Sequence, residues 1–296
     1  MKRVFALLLA LGLLFSLAAC GEPEPSGTKK PQSEKPNNDK FGTTVTQPTS
    51  PVKTKTIYAI TQQTFTGFQG EQVVAARETT YVYDDAGRIT KVIMVQNGVT
   101  QEYAAETDEH GRLSTMKYTH EGSEYVFAYT YDEAGRKLSL TLSQDGRVVQ
   151  IQSFTYDAQG RETSNQLLVP DMLDQRREYV YEQDRLVKEM LYENGELRQY
   201  EQYYYDDQGR IFKSETRMPN DSVYATWDYT YSEDGLTTTK TCERYKLTTV
   251  AVRDAHGNVI RTEQIDVGGS SVTEYTYIAI EIPEDTPRQS DKIQGV

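Results

Sequence analysis

Tyr129-Thr130-Tyr131-Asp132-Glu133-Ala134-Gly135-Arg136 decides how this chain is read. It holds the end of one strand, a turn and the start of the next. Two aromatics separated by a β-branched residue put both rings on one face of an extended segment and the threonine on the other. Asp132 can accept hydrogen bonds from backbone N–H groups two residues on. Gly135 supplies the positive φ that a type I turn closed by a bulge requires. The phrase repeats as Tyr83 to Arg88, Tyr156 to Arg161 and Tyr205 to Arg210. Weaker copies stand at Thr107 to Arg112, Tyr181 to Arg185, Tyr231 to Gly235 and Arg253 to Gly257. Spacings of 22 to 26 residues mean one supersecondary unit stacked on copies of itself.

Aligning the copies gives two expected residue sets. The turns are defined by Asp84, Gly87 and Arg88; Asp108, Gly111 and Arg112; Asp132, Gly135 and Arg136; Asp157, Gly160 and Arg161; and Asp206, Gly209 and Arg210. The aromatic ladder comprises Tyr81, Tyr83, Tyr129, Tyr131, Phe154, Tyr156, Tyr179, Tyr181, Tyr203, Tyr205, Tyr229, Tyr231, Tyr275 and Tyr277. Two repeats put Ala105/Thr107 and Ala251/Arg253 in the ring positions instead. Hydrophobic residues make up 37% of the chain, low for a core, so the rings are expected to supply most of the buried area, stacked as a shared stripe. The arginines should stand near aromatics and turn carboxylates, each contact adding about 0.5–1 kcal/mol.

A second set of turns lies midway: Asn97-Gly98, Glu121-Gly122, Asp145-Gly146, Asn194-Gly195 and Gly268-Gly269, with proline at Pro170-Asp171 and Pro219-Asn220-Asp221. Each unit is therefore two strands of roughly 8 to 10 residues. Repeat five lacks the turn glycine (Glu182-Gln183-Asp184-Arg185), so a tighter or differently shaped turn is expected there. No apolar stripe of helical period is sustained after the N-terminal segment. The fold class predicted is all-β: an antiparallel meander of tandem β-hairpin repeats, about 16 to 18 strands, forming one long twisted or curled sheet.

The repeating Tyr-Asp-x-x-Gly-Arg phrase resembles the YD repeats of the Rhs family of bacterial surface and secreted proteins, over residues about 72–280. That resemblance implies antiparallel sheets that curl into a shell. It does not bring the toxin-enclosing role of the largest members, which needs far more repeats. A MORN-like strand-turn repeat, suggested by Tyr192-Glu193-Asn194-Gly195-Glu196-Leu197, lacks the regular Asp and Arg.

Residues 1–19 carry a short basic start (Lys2, Arg3), an apolar run and small residues, the layout of an export signal. The run is shorter than the roughly 20 residues of a spanning helix. Leu17-Ala18-Ala19-Cys20 resembles a bacterial lipobox, which implies that Cys20 is lipidated and fixes the protein to the cell membrane, outside the cytoplasm. Residues 20–56 hold six of the ten prolines and read as an extended tether, 57–282 as the repeat domain and 283–296 as a polar tail. The signal and the tether each carry +2, so the net −12 leaves −16 on residues 57–296. Such a body excludes nucleic acid and a surface flat on anionic lipid.

Chemistry-bearing motifs are not found. Cys242 has no disulfide partner once Cys20 carries lipid, and reads as a small structural residue. His110 and His256 precede turn glycines, and His120 lies beside Glu121-Gly122. Acid pairs such as Asp84-Asp85 offer two or three oxygens where calcium wants six to eight. No cofactor, metal or catalytic residue is expected. The chain reads as a non-catalytic structural or binding surface whose partner is an envelope protein, a wall polymer or a host protein. The alternatives are a cell-wall or glycan-binding module and, further off, a calcium-dependent adhesin or hydrolase.

Overall fold

The computed structural model describes residues 54–283, so the signal, Cys20 and nearly all of the tether and tail lie outside the described residues. Described chain extends three residues before and one after the expected domain. It is eighteen strands joined in order. The first six are β1 (Thr54–Gln69), β2 (Gln72–Tyr83), β3 (Ile89–Gln96), β4 (Val99–Thr107), β5 (Leu113–His120) and β6 (Ser123–Tyr131). Then come β7 (Lys137–Gln144), β8 (Arg147–Tyr156), β9 (Glu162–Val169), β10 (Leu173–Glu182), β11 (Arg185–Glu193) and β12 (Glu196–Tyr205). The last are β13 (Ile211–Arg217), β14 (Val223–Tyr231), β15 (Thr237–Cys242), β16 (Leu247–Arg253), β17 (Val259–Asp266) and β18 (Gly269–Pro283).

Two turn types alternate between the two rims. At one rim Asp132 N–H donates to the Arg136 carbonyl (2.9 Å) and Gly135 N–H to the Asp132 carbonyl (3.0 Å). The register slips by one between Thr130 and Tyr131, which makes this a type I turn with a bulge. Gly135 sits at φ 82°. At the other rim Asn97 (φ 49°) and Gly98 (φ 79°) form a two-residue turn with both φ positive, the geometry that matches strand twist. Repeat five does shorten its turn: β10 ends at Glu182 and β11 starts at Arg185, with Gln183 at φ 55°.

The expected long curled sheet is corrected in one respect, because the meander closes. β1 pairs antiparallel with β2 on one side (Phe65 opposite Arg77) and with β18 on the other (Phe65 opposite Thr273). Every consecutive pair of strands is also joined, so the eighteen form a barrel. Strand twist and stagger, summed around the sheet, bring first and last strands together, and closure satisfies edge groups that an open sheet would expose. The repeat pattern is the same in an open or a closed meander. β1 precedes the first Asp turn and is the strand that decides between them.

Beyond the bulge at Thr61, residues 54–60 of β1 and 277–283 of β18 continue as a two-stranded ribbon past the Asp-turn rim, with Thr54 opposite Pro283. Tyr58 from this ribbon stacks on His256 in the β16–β17 turn, with ring centroids 4.5 Å apart.

Candidate functional site

Alternation assigns one face of every strand to the interior. In β2 the inward row is Arg77, Thr79 and Tyr81, all buried, while Glu78 and Val82 are exposed. Outward rows carry cross-strand ion pairs such as Lys91–Glu102 (3.0 Å), Lys117–Glu106 (3.1 Å) and Arg261–Glu274 (3.3 Å). All fourteen ladder residues are buried or half-buried, none exposed.

The ladder coheres differently from a stripe of stacked rings. Successive Tyr of the Tyr-Asp phrase stand on alternate strands, roughly 9.5 Å apart at a strand spacing near 4.8 Å, beyond the 4.5–7 Å of ring pairs. An arginine fills the gap. Arg112 lies over Tyr131 (4.7 Å), Arg136 over Tyr156 (4.8 Å), Arg161 over Tyr181 (4.6 Å) and Arg210 over Tyr231 (4.8 Å). Each arginine also binds its own turn aspartate, as Arg136 Nε does Asp132 Oδ2 at 2.6 Å. Arg112 and Arg136 reach the next turn as well, donating to the carbonyls of Asp132 (3.3 Å) and Asp157 (3.4 Å). The tyrosine hydroxyls then donate to the first carbonyl after the preceding turn: Tyr131 to Leu113, Tyr156 to Lys137 and Tyr181 to Glu162, at 2.8, 2.8 and 2.9 Å. Asp108, Asp132 and Asp157 are partly desolvated, which raises their pKa, but hydrogen bonds from Arg112, Arg136 and Arg161 outweigh this and hold them below the usual range. Asp84 and Asp206 are held low first by the backbone N–H of Arg88 and Arg210. The turn residues are thus a structural set, spread around one rim and not converging on a point.

The interior divides into two halves. Inward side chains of β1–β8 form one apolar cluster around Tyr81, Met116, Phe127, Leu140 and Leu142. From β9 to β12 nearly every residue is half-buried on both faces. The inward row there and on the strands that follow is polar and aromatic. Arg177 pairs with Glu189, which also accepts from the Tyr203 hydroxyl at 3.2 Å. Ser214 and Thr216 (2.7 Å) donate to the two oxygens of Glu201, and the Trp227 indole N–H donates to Thr216 at 3.2 Å. Lys240 stands 4.3 Å from the Trp227 ring centre. Asn165 donates at 2.8 Å to both Glu162 and the Tyr179 hydroxyl. Burial pushes Glu162 up and lowers neighbouring Lys137. At the tight-turn rim Trp227 meets Tyr245 (5.7 Å), and Tyr245 meets Tyr224 (6.2 Å) beneath Arg244.

None of Glu162, Arg177, Glu189 and Glu201 was singled out from sequence. For Arg177 and Glu201 a signal was present: stepping back four residues from the tyrosine slots at 83, 107, 131, 156, 181, 205 and 231 gives Thr79, Tyr103, Phe127, Gln152, Arg177, Glu201 and Trp227 on the same inward face. Elsewhere, an open groove of ≈ 530 Å³ lies between Tyr81–Gly87 and Ile278–Glu281 at the Asp-turn rim. Among the described residues no group of three or more His, Cys, Asp or Glu side chains is placed to hold a metal ion. Cys242 is buried at 1% exposure.

No family model and no curated protein matches the chain. Among solved structures, a porin-like protein from Bacteroides uniformis is similar at 12% identity, covering 74% of this chain and 98% of its own, with a TM-score of 0.40. A TcdB2–TccC3 structure is similar at 13% identity over 70% of this chain and 15% of its own, TM-score 0.26. The Photorhabdus luminescens Tc holotoxin pore is similar at 10% identity over 75% and 15%, TM-score 0.27. These are weak likenesses of an all-β strand path.

Proposed function

We propose that the chain is a non-catalytic binding protein held outside the cytoplasm on lipidated Cys20, and that its ligand surface is the polar–aromatic wall of β9–β15. The observation that carries this reading is the wall itself. Its carboxylates Glu189 and Glu201 are occupied by Arg177, Tyr203, Ser214 and Thr216, and its rings stand half-exposed beside them. Satisfied polar groups between aromatic faces suit a polyhydroxylated ligand, so a wall glycan is the partner class favoured. The Tyr-Asp-x-x-Gly-Arg repeats support a place among YD-repeat proteins, as a short barrel. Outward ion pairs weigh against a lipid-facing wall, which needs an apolar band.

Two measurements test the proposal. Cys20→Ala should release the protein from membranes into the medium; continued membrane retention contradicts the anchor. Pull-down with purified cell wall should be lost in Trp227→Ala and Tyr245→Ala and kept in Arg88→Ala. Equal retention of all three variants rules out the wall as ligand surface.

A second reading has one observation behind it. Glu162 and Glu189 lie in unlike surroundings: burial, with a smaller push from the Glu189 charge, raises Glu162 beside Asn165, while Glu189 is paired with Arg177. Carboxylates set apart in this way can divide acid and base roles in a glycosidase. Release of reducing sugar that disappears in Glu162→Gln would favour it over binding alone.

A further inference from the structure

Four buried polar atoms of the interior find no hydrogen-bond partner in the protein: Thr79 Oγ1, the hydroxyls of Tyr81 and Tyr129, and Gln152 Oε1. Three of them gather near the seam where the barrel closes. Thr79 and Tyr81 point inward two positions apart on β2, each 3% exposed. Tyr129 lies on β6, yet it is near enough to Tyr81 for the two phenols to sense each other's charge. Since β3, β4 and β5 separate them along the wall, that approach runs through the interior.

Two residues before Thr79 on the same inward row stands Arg77, 8% exposed. Its guanidinium lies 5.9 Å from the Phe65 ring centre. Its titratable neighbours are the phenols of Tyr81, Tyr103 and Tyr275, and burial lowers its pKa. No carboxylate among the described residues forms an ion pair with it. Inward Arg177 has a carboxylate directly against it, and inward Lys137 and Lys240 each stand over a ring at 4.7 and 4.3 Å; Arg77 has one ring at 5.9 Å and neutral hydroxyls. A guanidinium stays protonated in any folded protein, so burial without a counter-charge is strongly destabilising unless something negative arrives. Thr79 and Tyr81, on the same row, carry hydroxyls with no acceptor in the protein, and Tyr129 adds a third against Tyr81.

We propose that Arg77, Thr79, Tyr81 and Tyr129 form a niche for a small oxyanion group, the guanidinium fork binding two oxygens and the hydroxyls donating to the rest. The shared chemistry is that of a carboxylate or a phosphate, brought by an acidic sugar or by the free ion. The niche belongs to the packed half of the barrel, so it stands or falls separately from the β9–β15 wall.

Thermal melts and titration calorimetry of the full chain in chloride-free buffer test it, with glucuronate and inorganic phosphate as separate probes. At least one probe should bind saturably and raise the melting temperature. Arg77→Gln should weaken that binding by at least about tenfold, and Arg77→Lys, which keeps charge but loses the fork, by less. Tyr129→Phe should bind several-fold more weakly while its ligand-free melting temperature is unchanged or raised, since it loses an orphaned hydroxyl. A carboxylate-only or phosphate-only response identifies the source. Excluded salts stabilise all variants alike. Equal stabilisation of wild type, Arg77→Gln and Tyr129→Phe, or no binding of either probe to wild type, overturns the proposal; if Arg77→Gln does not fold, Tyr129→Phe alone decides between these outcomes.

Discussion

The turn arginines provide an internal control on what one residue contributes. Arg112 has the Tyr131 ring against it and a side chain 12% exposed; Arg88 faces the repeat in which Thr107 replaces tyrosine, and its side chain is 53% exposed. Arg112→Ala should therefore cost about 1 kcal/mol or more in urea unfolding, from lost cation–π and packing terms, while Arg88→Ala stays within about 0.5 kcal/mol. Equal losses would show that the ring contact is incidental. Tyr131→Phe removes only the hydroxyl bond to Leu113 and should cost about 0.5–1.5 kcal/mol. The aspartates give a pH signature. Their folded pKa values lie below the unfolded ones, so their contribution is complete above about pH 4 and is lost as pH falls through the folded values. Melting temperature should drop on acidification, and less steeply in Asp132→Asn. At this scale the turn set was legible because the same four residue types recur in register. Arg177 and Glu201 could be placed on the inward face by counting back from the tyrosine slots, but their residue types do not recur there; Glu189 is reached only through strand register.

Among the elements, β1 differs from all the hairpins. Its central residues bond to both β2 and β18, whereas residues 54–60 pair with β18 alone. A proline at Phe65 should therefore open the seam, lower the melting temperature sharply and expose two long edges that assemble edge to edge. A proline at Thr56 disturbs only the ribbon. Size-exclusion chromatography should report oligomers for Phe65→Pro and a monomer-sized peak for Thr56→Pro; the same profile for both would mean that closure does not protect the edges. Strand number and both turn sets could be counted from glycine, asparagine and proline positions. Closure could not be, because hairpin chemistry is local and the partner of Thr54 is Pro283, at the far end of the described chain. The ring-and-arginine alternation was half legible: the residues were visible, but their order in space depends on two strand spacings separating successive tyrosines.

For the whole molecule, the dominant titration is that of its phenols. Burial pushes Tyr81, Tyr103, Tyr131 and Tyr156 up to about 12. A folded pKa above the unfolded value near 10 means full stability below pH 10 and progressive loss as pH rises toward 12. Alkaline unfolding should thus set in above pH 10 and coincide with phenolate absorbance; titration of all the tyrosines near pH 10 without unfolding would refute the buried ladder. The adjacency of Thr54 and Pro283 supports a second test at this scale. A permutant joined there and cut at Asn194-Gly195 should still melt cooperatively, because no strand is divided. The same ribbon puts both ends of the described chain on the side of the aspartate loops. Under the proposed anchor on Cys20, a peptide tag spliced into the Asn97-Gly98, Asp145-Gly146 or Asn194-Gly195 hairpins should be reached by antibody on whole cells more readily than one spliced into the aspartate loops; equal access at both rims would mean that the point of attachment sets no orientation.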